Sequence, residues 1–304
     1  MLTTLYIQIG GVVMKKEIIY AHEHITIDLS GVKKDKDCFL NNKSQTIEEF
    51  KELKNKGVST IIDVTNRGMG RNTDYVAEVI RETGLNILQA TGYYKEPFLP
   101  EEVYKINEKE MAKILIDEIV NGIDGTSTKA DVIGEIGTSL NKIEDMELKV
   151  FEAASRAHVE TGKPIITHTT LGKLGLEQIE IFNKFNVDLS KVTLSHIDLS
   201  GDLQYMFRVL DTGINIAFDT IGKNNYQPDE ERAIWLKALC DKGYSSQIVL
   251  SMDITRKSHF KENGGLGYSY LIDDFLPRLY EKEISNKHIE NMLVNNIKNI
   301  YGLK

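Results

Sequence analysis

Short apolar runs recur along the chain at 17–21, 60–64, 86–90, 131–136, 164–167, 192–195, 214–218 and 248–252. They are rich in Val and Ile and mostly do not alternate with polar residues. That is the pattern of parallel strands buried on both faces. Each spacer between them is long enough for the crossover that parallel pairing requires. Several spacers carry helical signals. Thr46 and Glu49 are spaced as a capping box that opens a helix running through Phe50 and Leu53 to a stop at Gly57. A second helix is expected over 143–161, ended by Gly162 ahead of Pro164, and a third over 230–240, with Trp235 packed on the barrel. A terminal helix is expected over 289–301.

Eight strand-then-helix units in one chain predict a single (β/α)8 TIM barrel, an α/β fold. A doubly wound sheet is the competing arrangement, but no GxGxxG opens the first helix. The 304 residues divide into an extension over 1–16 and a barrel over 17–304. Met14 is a second plausible start, which would make the first 13 residues an unstructured extension or an added strand.

Composition narrows the function. Residues AVILMFWYC make up 41% of the chain, enough for a large core, and the net charge is −8. An acidic chain lacks the basic face that general nucleic-acid binding needs, yet a few local cations suffice for a small anionic substrate. Cys38 and Cys240 form neither a disulfide framework nor a CxxC knuckle, so a reducing, cytoplasmic setting is expected. No apolar run is long enough to span a membrane, and the N-terminus lacks the basic start of a signal peptide.

In such barrels chemistry sits where strands end. The polar residues there are His22 and His24; Asp63, Thr65, Asn66 and Arg67; Tyr93 and Tyr94; Glu135; His168; His196 and Asp198; Asp219; and Asp253 with Arg256. Four of the seven histidines fall at strand ends; His158, His259 and His288 do not. His22 and His24 form an HxH pair whose alternation puts both rings on one face, where they can chelate one ion. A pair facing solvent on an edge strand is the bland alternative. His168 and His196 can ligate a second ion, although each alone also reads as a hydrogen-bonded core histidine. Glu135 closes the apolar run VIGEIG. A buried carboxylate needs a compensating partner, and either two cations or a salt bridge would serve. Asp253 can ligate a metal and accept a proton from the hydroxide-generating water that two metals clamp. No GxSxG elbow offers a serine nucleophile instead.

AHEH (21–24), TNRGMGRN (65–72), TGYY (91–94), GEIGTS (134–139), THT (167–169), SHIDLS (195–200), FDTIGK (218–223) and SMDITR (251–256) resemble the phosphotriesterase family of the amidohydrolase superfamily. The likeness runs from about Tyr20 to Tyr301. It implies that His22, His24 and Asp253 hold a more buried metal, His168 and His196 a more exposed one, and that Glu135 bridges them. The phosphotriesterases proper carry a carbamylated lysine at that bridge. Glutamate keeps the charge with a different geometry, and a subgroup of the family carries it too.

The resemblance therefore implies a binuclear hydrolase with two divalent ions, Zn being favoured over Mn, Co or Fe, and a metal-bridging hydroxide. Its expected substrate is a lactone or related carboxyl ester, including phosphorylated sugar lactones. Phosphoester or phosphotriester hydrolysis is the alternative, and a non-catalytic metal- or ligand-binding barrel the lesser one. Arg256, Lys223, Tyr94 and Arg67 are the expected substrate-binding residues, with Arg71 equally readable as a solvated loop charge and Tyr93 as rim packing. The partner is a small, anionic molecule, with no nucleic acid or membrane involved, and a homodimer is compatible with a barrel of this size.

Overall fold

The computed structural model describes residues 6–9, 12–15 and 17–303. Its centre is eight parallel strands: β1 (Ile18–Glu23), β2 (Val58–Asp63), β3 (Asn86–Thr91), β4 (Val132–Thr138), β5 (Ile165–Thr169), β6 (Val192–Ser195), β7 (Asn215–Phe218) and β8 (Ile248–Leu250). They lie side by side in chain order. Helices separate them, including α1 (Lys43–Asn55), α2 (Thr73–Thr83), α3 (Glu108–Val120), α4 (Asp145–Thr161), α5 (Gly175–Lys184), α6 (Leu203–Leu210) and α7 (Asp229–Asp241). The result is the (β/α)8 barrel that the apolar pattern predicts.

Period-2 geometry sorts the strand residues into two cores. Ile19 and Ala21, Ile62 and Val64, Leu88 and Ala90, with Val132, Ile166, Ala217 and Val249, fill the lumen. Their neighbours face outward into a larger cluster shared with the helices. Ile297 and Ile300 join the lumen set, so the helical run at 286–301 closes the floor of the barrel. Asn296 fastens it there by donating to the carbonyls of Ser245 (2.8 Å) and Ile248 (2.7 Å).

The last strand meets the first through side chains. Glu23 accepts from Ser251 Oγ (2.7 Å) and from the amides of Met252 (2.8 Å) and Ile254 (3.0 Å), while His22 N donates to Ser251 Oγ (3.1 Å). The glutamate between the two histidines of AHEH thus stitches β8 to β1. Burial pushes its carboxyl up to about 7, against the hydrogen bonds it accepts.

Three local expectations are corrected. The first helix begins at Lys43, a turn ahead of Thr46, and there is no capping box. Thr46 instead lies inside the helix beside the Tyr75 hydroxyl (3.1 Å), and Glu49 turns inward to accept the amides of Lys261 and Tyr268, both at 2.8 Å. Satisfying two loop amides from a buried carboxylate outweighs capping a solvent-facing turn. The helix expected from 143 starts at Asp145, with the Glu144 and Glu147 side chains forming the reciprocal cap and Gly162 the left-handed stop. The terminal helix contains a wider π turn at Asn291–Asn295.

Of the expected extension, residues 1–5, 10, 11 and 16 lie outside the described residues; Tyr6–Ile9 pairs antiparallel with Val12–Lys15. Both cysteines are free and buried. Among the described residues no helix is long and apolar enough to cross a membrane.

Candidate metal centre

The lumen frame set by Ile19 and Ala21 would by simple alternation continue to Glu23. A register shift between Tyr20 and Glu23 instead lets His22 and His24 face the mouth and turns Glu23 to the seam. Such irregularities re-aim side chains beside active sites. β4 does the same: its register shifts between Ile133 and Ile136, and Glu135 faces the site. Gly134 makes this feasible, because a Cβ there would stand 2.2 Å from the Ile166 carbonyl oxygen. His196 (φ 62°) and Asp253 (φ 50°) follow their strands in the left-handed region, an unfavourable conformation for a residue with a Cβ and one that concentrates at functional sites.

These turns converge six side chains. Glu135 Oε2 lies 3.8 Å from His22 Nε2 and 3.6 Å from His24 Nε2. Asp253 Oδ1 is 3.6 Å from each of the same two nitrogens. Glu135 Oε1 lies 2.7 Å from His168 Nδ1 and 3.4 Å from His196 Nε2. One carboxylate oxygen therefore addresses each histidine pair. All six residues are buried except His168, which is partly exposed.

Separations of 3.4–3.8 Å are too long for good hydrogen bonds. They suit a shared cation, since two ligands bonded tetrahedrally at ~2.1 Å stand about 3.4 Å apart. The other ring nitrogens are already engaged. His24 Nδ1 meets Thr65 Oγ1 (2.8 Å), and His22 Nδ1 meets Ser195 Oγ and Asp219 Oδ2, both at 2.9 Å. Asp219 Oδ1 takes His196 Nδ1 at 2.8 Å. His22 Nε2, buried and aimed into the cluster, has no hydrogen-bond partner. Orienting Nδ1 from behind while leaving Nε2 open is how metal-ligating imidazoles are held. The donors fit a metal at either pair.

Electrostatics agree. Burial pushes the Glu135 carboxyl up, but the imidazoles of His168, His196 and His22 outweigh it and hold it well below the ordinary range. Burial likewise opposes ionisation of Asp253, and the Lys223 ammonium, paired with its Oδ2, and the neighbouring histidines bring it below its usual value. Burial lowers His168 to about 4, against the pull of the Glu135 carboxylate.

Above the cluster opens a cavity of about 520 Å3, whose lining includes Tyr94, Lys95, Phe98, Lys223, Arg256 and His259. Tyr94 stands at the centre, its hydroxyl 3.1 Å from His168 Nδ1. Arg256 lines the rim but is bound to Asp35 at 2.7 Å. Arg67 does not line the cavity. It lies over the buried Tyr93 ring, paired to Glu118 and Glu102. Arg71 is equally engaged, by Glu118 and Asp124. Asp198 turns away to Arg232 (2.6 Å).

Sequence reasoning set His259 aside and assigned no part to Lys95, Asp219, Thr65 or Ser195. Asp219 and Thr65 stand among the strand-end polar residues without an assigned part, and Ser195 closes the run before His196. Nothing in the sequence marks Lys95 or His259.

The sequence pattern of the Phosphotriesterase family matches residues 11–301. The phosphotriesterase homology protein of Escherichia coli (strain K12) is 48% identical over 91% of this chain and 94% of its own. Its crystal structure, described as complexed with phosphate in the active site, superposes with a TM-score of 0.92 at 46% identity, covering 94% of this chain and 99% of that one. An N-acetyltaurine hydrolase of Dictyostelium discoideum is 33% identical over 86% of this chain and 74% of its own. A phospho-furanose lactonase of Mycoplasmopsis synoviae (strain 53) is 32% identical over 87% and 81%.

Proposed function

This chain belongs to the phosphotriesterase family, and from that premise we propose that it is a binuclear metal-dependent hydrolase of a lactone or related carboxyl ester, with phosphorylated sugar lactones the favoured class. Members of the family are metal-dependent hydrolases of small molecules. The observation that carries the binuclear reading is Glu135, with Oε2 toward His22 and His24 and Oε1 toward His168 and His196. His22, His24 and Asp253 would hold one ion and His168 and His196 the other, with Zn favoured and Mn, Co or Fe also suited to these donors. Bound there, two divalent cations supply electrophilic activation of the scissile group and of water at neutral pH.

The chain's own residues do the rest. Asp253 is ionised and faces the cluster, so it accepts the proton of the attacking water. The water oxygen bonds to the carbonyl carbon, the ring C–O bond breaks, and Asp253 returns the proton to the departing alkoxide. Lys223 holds Asp253 Oδ2 and so fixes which oxygen faces the reaction. Tyr94, buried at His168, would donate to the substrate carbonyl and exclude water.

The lactone reading draws support from the lactonase relative. It is tested by a panel of lactones, with and without phosphate, on protein whose metal content is measured. Turnover with about two ions per chain is expected, and a fully loaded protein inert to every lactone would overturn it. Asp253→Asn should abolish turnover; full activity in that variant removes the proton role. Phosphoester hydrolysis at the same site is the second reading, favoured by the phosphate described in the Escherichia coli relative's active site. A chromogenic phosphotriester and a phosphomonoester separate it from the first. N-acetyltaurine, which a relative's name specifies, completes the panel. A non-catalytic metal- or ligand-binding barrel would turn over no member of the panel, and the absence of bound divalent metal would favour it. A cytoplasmic homodimer remains the expected state, checked by fractionation and sedimentation.

A further inference from the structure

Four cationic side chains line the cavity: Lys33, Lys95, Lys223 and Arg256. Two are already neutralised, Lys223 by Asp253 and Arg256 by Asp35 at 2.7 Å and Asp37 at 3.6 Å. A guanidinium or ammonium already paired gains little from an incoming anion, because an existing partner must first be displaced. Lys95 differs. It is partly buried, and no carboxylate lies within ion-pair distance of it among the described residues. Its Nζ donates to the Glu96 carbonyl at 3.0 Å and lies 5.7 Å from the Tyr94 ring centroid and 5.6 Å from that of Phe98.

The side chain is also held in place. Its stem lies on Gly137, where a Cβ would meet Lys95 Cδ at 3.2 Å and Cβ at 3.3 Å. The Tyr94 and Phe98 rings, 5.4 Å apart, form the wall beside it, and the Tyr94 hydroxyl meets His168. The ammonium is thus displayed next to the more exposed histidine pair. Burial lowers its pKa, against the weaker pull of Glu147 and Glu135.

We propose that Lys95 binds the phosphate of a phosphorylated substrate and determines the preference for phosphorylated over neutral substrates. The substrate class rests on the lactone reading above; the anion preference rests on Lys95 itself. Lys33, also without a carboxylate partner among the described residues and nearer solvent, widens the same positive face. Lys95 is a specificity residue, since Asp253 and the metal ligands carry the chemistry.

The test uses the full, metal-loaded chain, with D-ribose 5-phosphate and D-ribose as calorimetric probes. The unaltered chain should bind the phosphorylated sugar more tightly. Lys95→Met should weaken that binding by about 10- to 100-fold, the range for a charged hydrogen bond, and leave ribose unchanged. Lys95→Arg should retain most of the affinity. With a phosphorylated lactone, KM in Lys95→Met should rise by a similar factor at constant kcat, with neutral-lactone kcat/KM and metal content unaltered. Equal affinity of the unaltered chain for the two sugars, or a Lys95→Met loss shared by both, would overturn the proposal. If no lactone is turned over yet Lys95→Met still weakens ribose 5-phosphate selectively, the lactone reading fails and the anion preference stands. If phosphorylated lactones are turned over with unchanged KM in Lys95→Met, only the role of Lys95 falls.

Discussion

Two buried carboxylates of this chain, Glu118 and Glu135, are nearly equal in exposure, with side chains 5% and 3% exposed, and opposite in partnership. Glu118 is closed. Its Oε1 takes Arg67 Nη1 (2.5 Å) and Arg71 Nη2 (2.9 Å), and its Oε2 takes Arg71 Nη1 (2.9 Å) and Thr91 Oγ1 (2.6 Å). Two permanent cations and a hydroxyl saturate it. Glu135 is open. Among the described residues only imidazoles pair with its carboxylate, most at distances too long to bond, and it faces a cavity. A structural carboxylate brings its countercharge in the chain; a functional one leaves the countercharge to be supplied.

That contrast can be broken by substitution. The largest effect is expected from Glu135→Gln. Losing the shared anion should cut metal content below two per chain and activity to under about one-thousandth, because electrophilic activation is worth several kcal/mol. Elemental analysis beside turnover checks this, and full occupancy would remove the bridge.

Glu118→Ala should do the reverse. It takes one of two carboxylate partners from each of Arg71 and the half-buried Arg67 and should cost about 1–3 kcal/mol of stability, read by urea unfolding, with metal stoichiometry intact. The pH sign follows. Burial raises the Glu118 carboxyl, but Arg71, Thr91 and Arg67 outweigh it and hold it below its usual value. Its stabilisation is therefore present above the unfolded pKa of about 4.3 and is lost as pH falls through the lower folded value. Glu118→Gln should lack that part of the acid-side slope.

Asp219→Asn comes next. Asp219 orients His22 and His196, one from each pair, so metal affinity should fall about 10- to 100-fold at both sites together. Loss at one site alone would show that the two are held independently. Thr65→Val, which removes only the hydroxyl behind His24, should weaken metal binding less than about tenfold.

Much of this was legible in the sequence for a physical reason. Strands buried on both faces need continuous apolar runs, so eight of them announce eight buried strands whatever the loops do. A polar residue closing such a run, as Glu135 closes VIGEIG, is costly unless it has work, so the ring of candidate ligands stands out. Helix starts were less legible, since Thr46 and Glu49 have the spacing of a cap yet are used for packing and for loop amides. The long charged side chains were least legible. Arg67 and Arg256 looked like anion binders, but a guanidinium reaches any carboxylate within several ångströms, and which one lies there depends on residues 35 or 51 positions away, such as Glu102 and Glu118, or 221 away, as with Asp35.

The sequence by itself determined the barrel, the strand ends and the six side chains gathered at its mouth, because burial and strand periodicity are local properties of a run of residues. Only the tertiary structure decided how they face. The register shifts that aim His22, His24 and Glu135, the stitching of the seam by Glu23, the pairing of His22 with His196 through Asp219, and the lack, among the described residues, of a carboxylate within ion-pair distance of Lys95 all arise between segments far apart in the chain. Their energies come from distances and solvent exclusion, which no stretch of sequence carries alone.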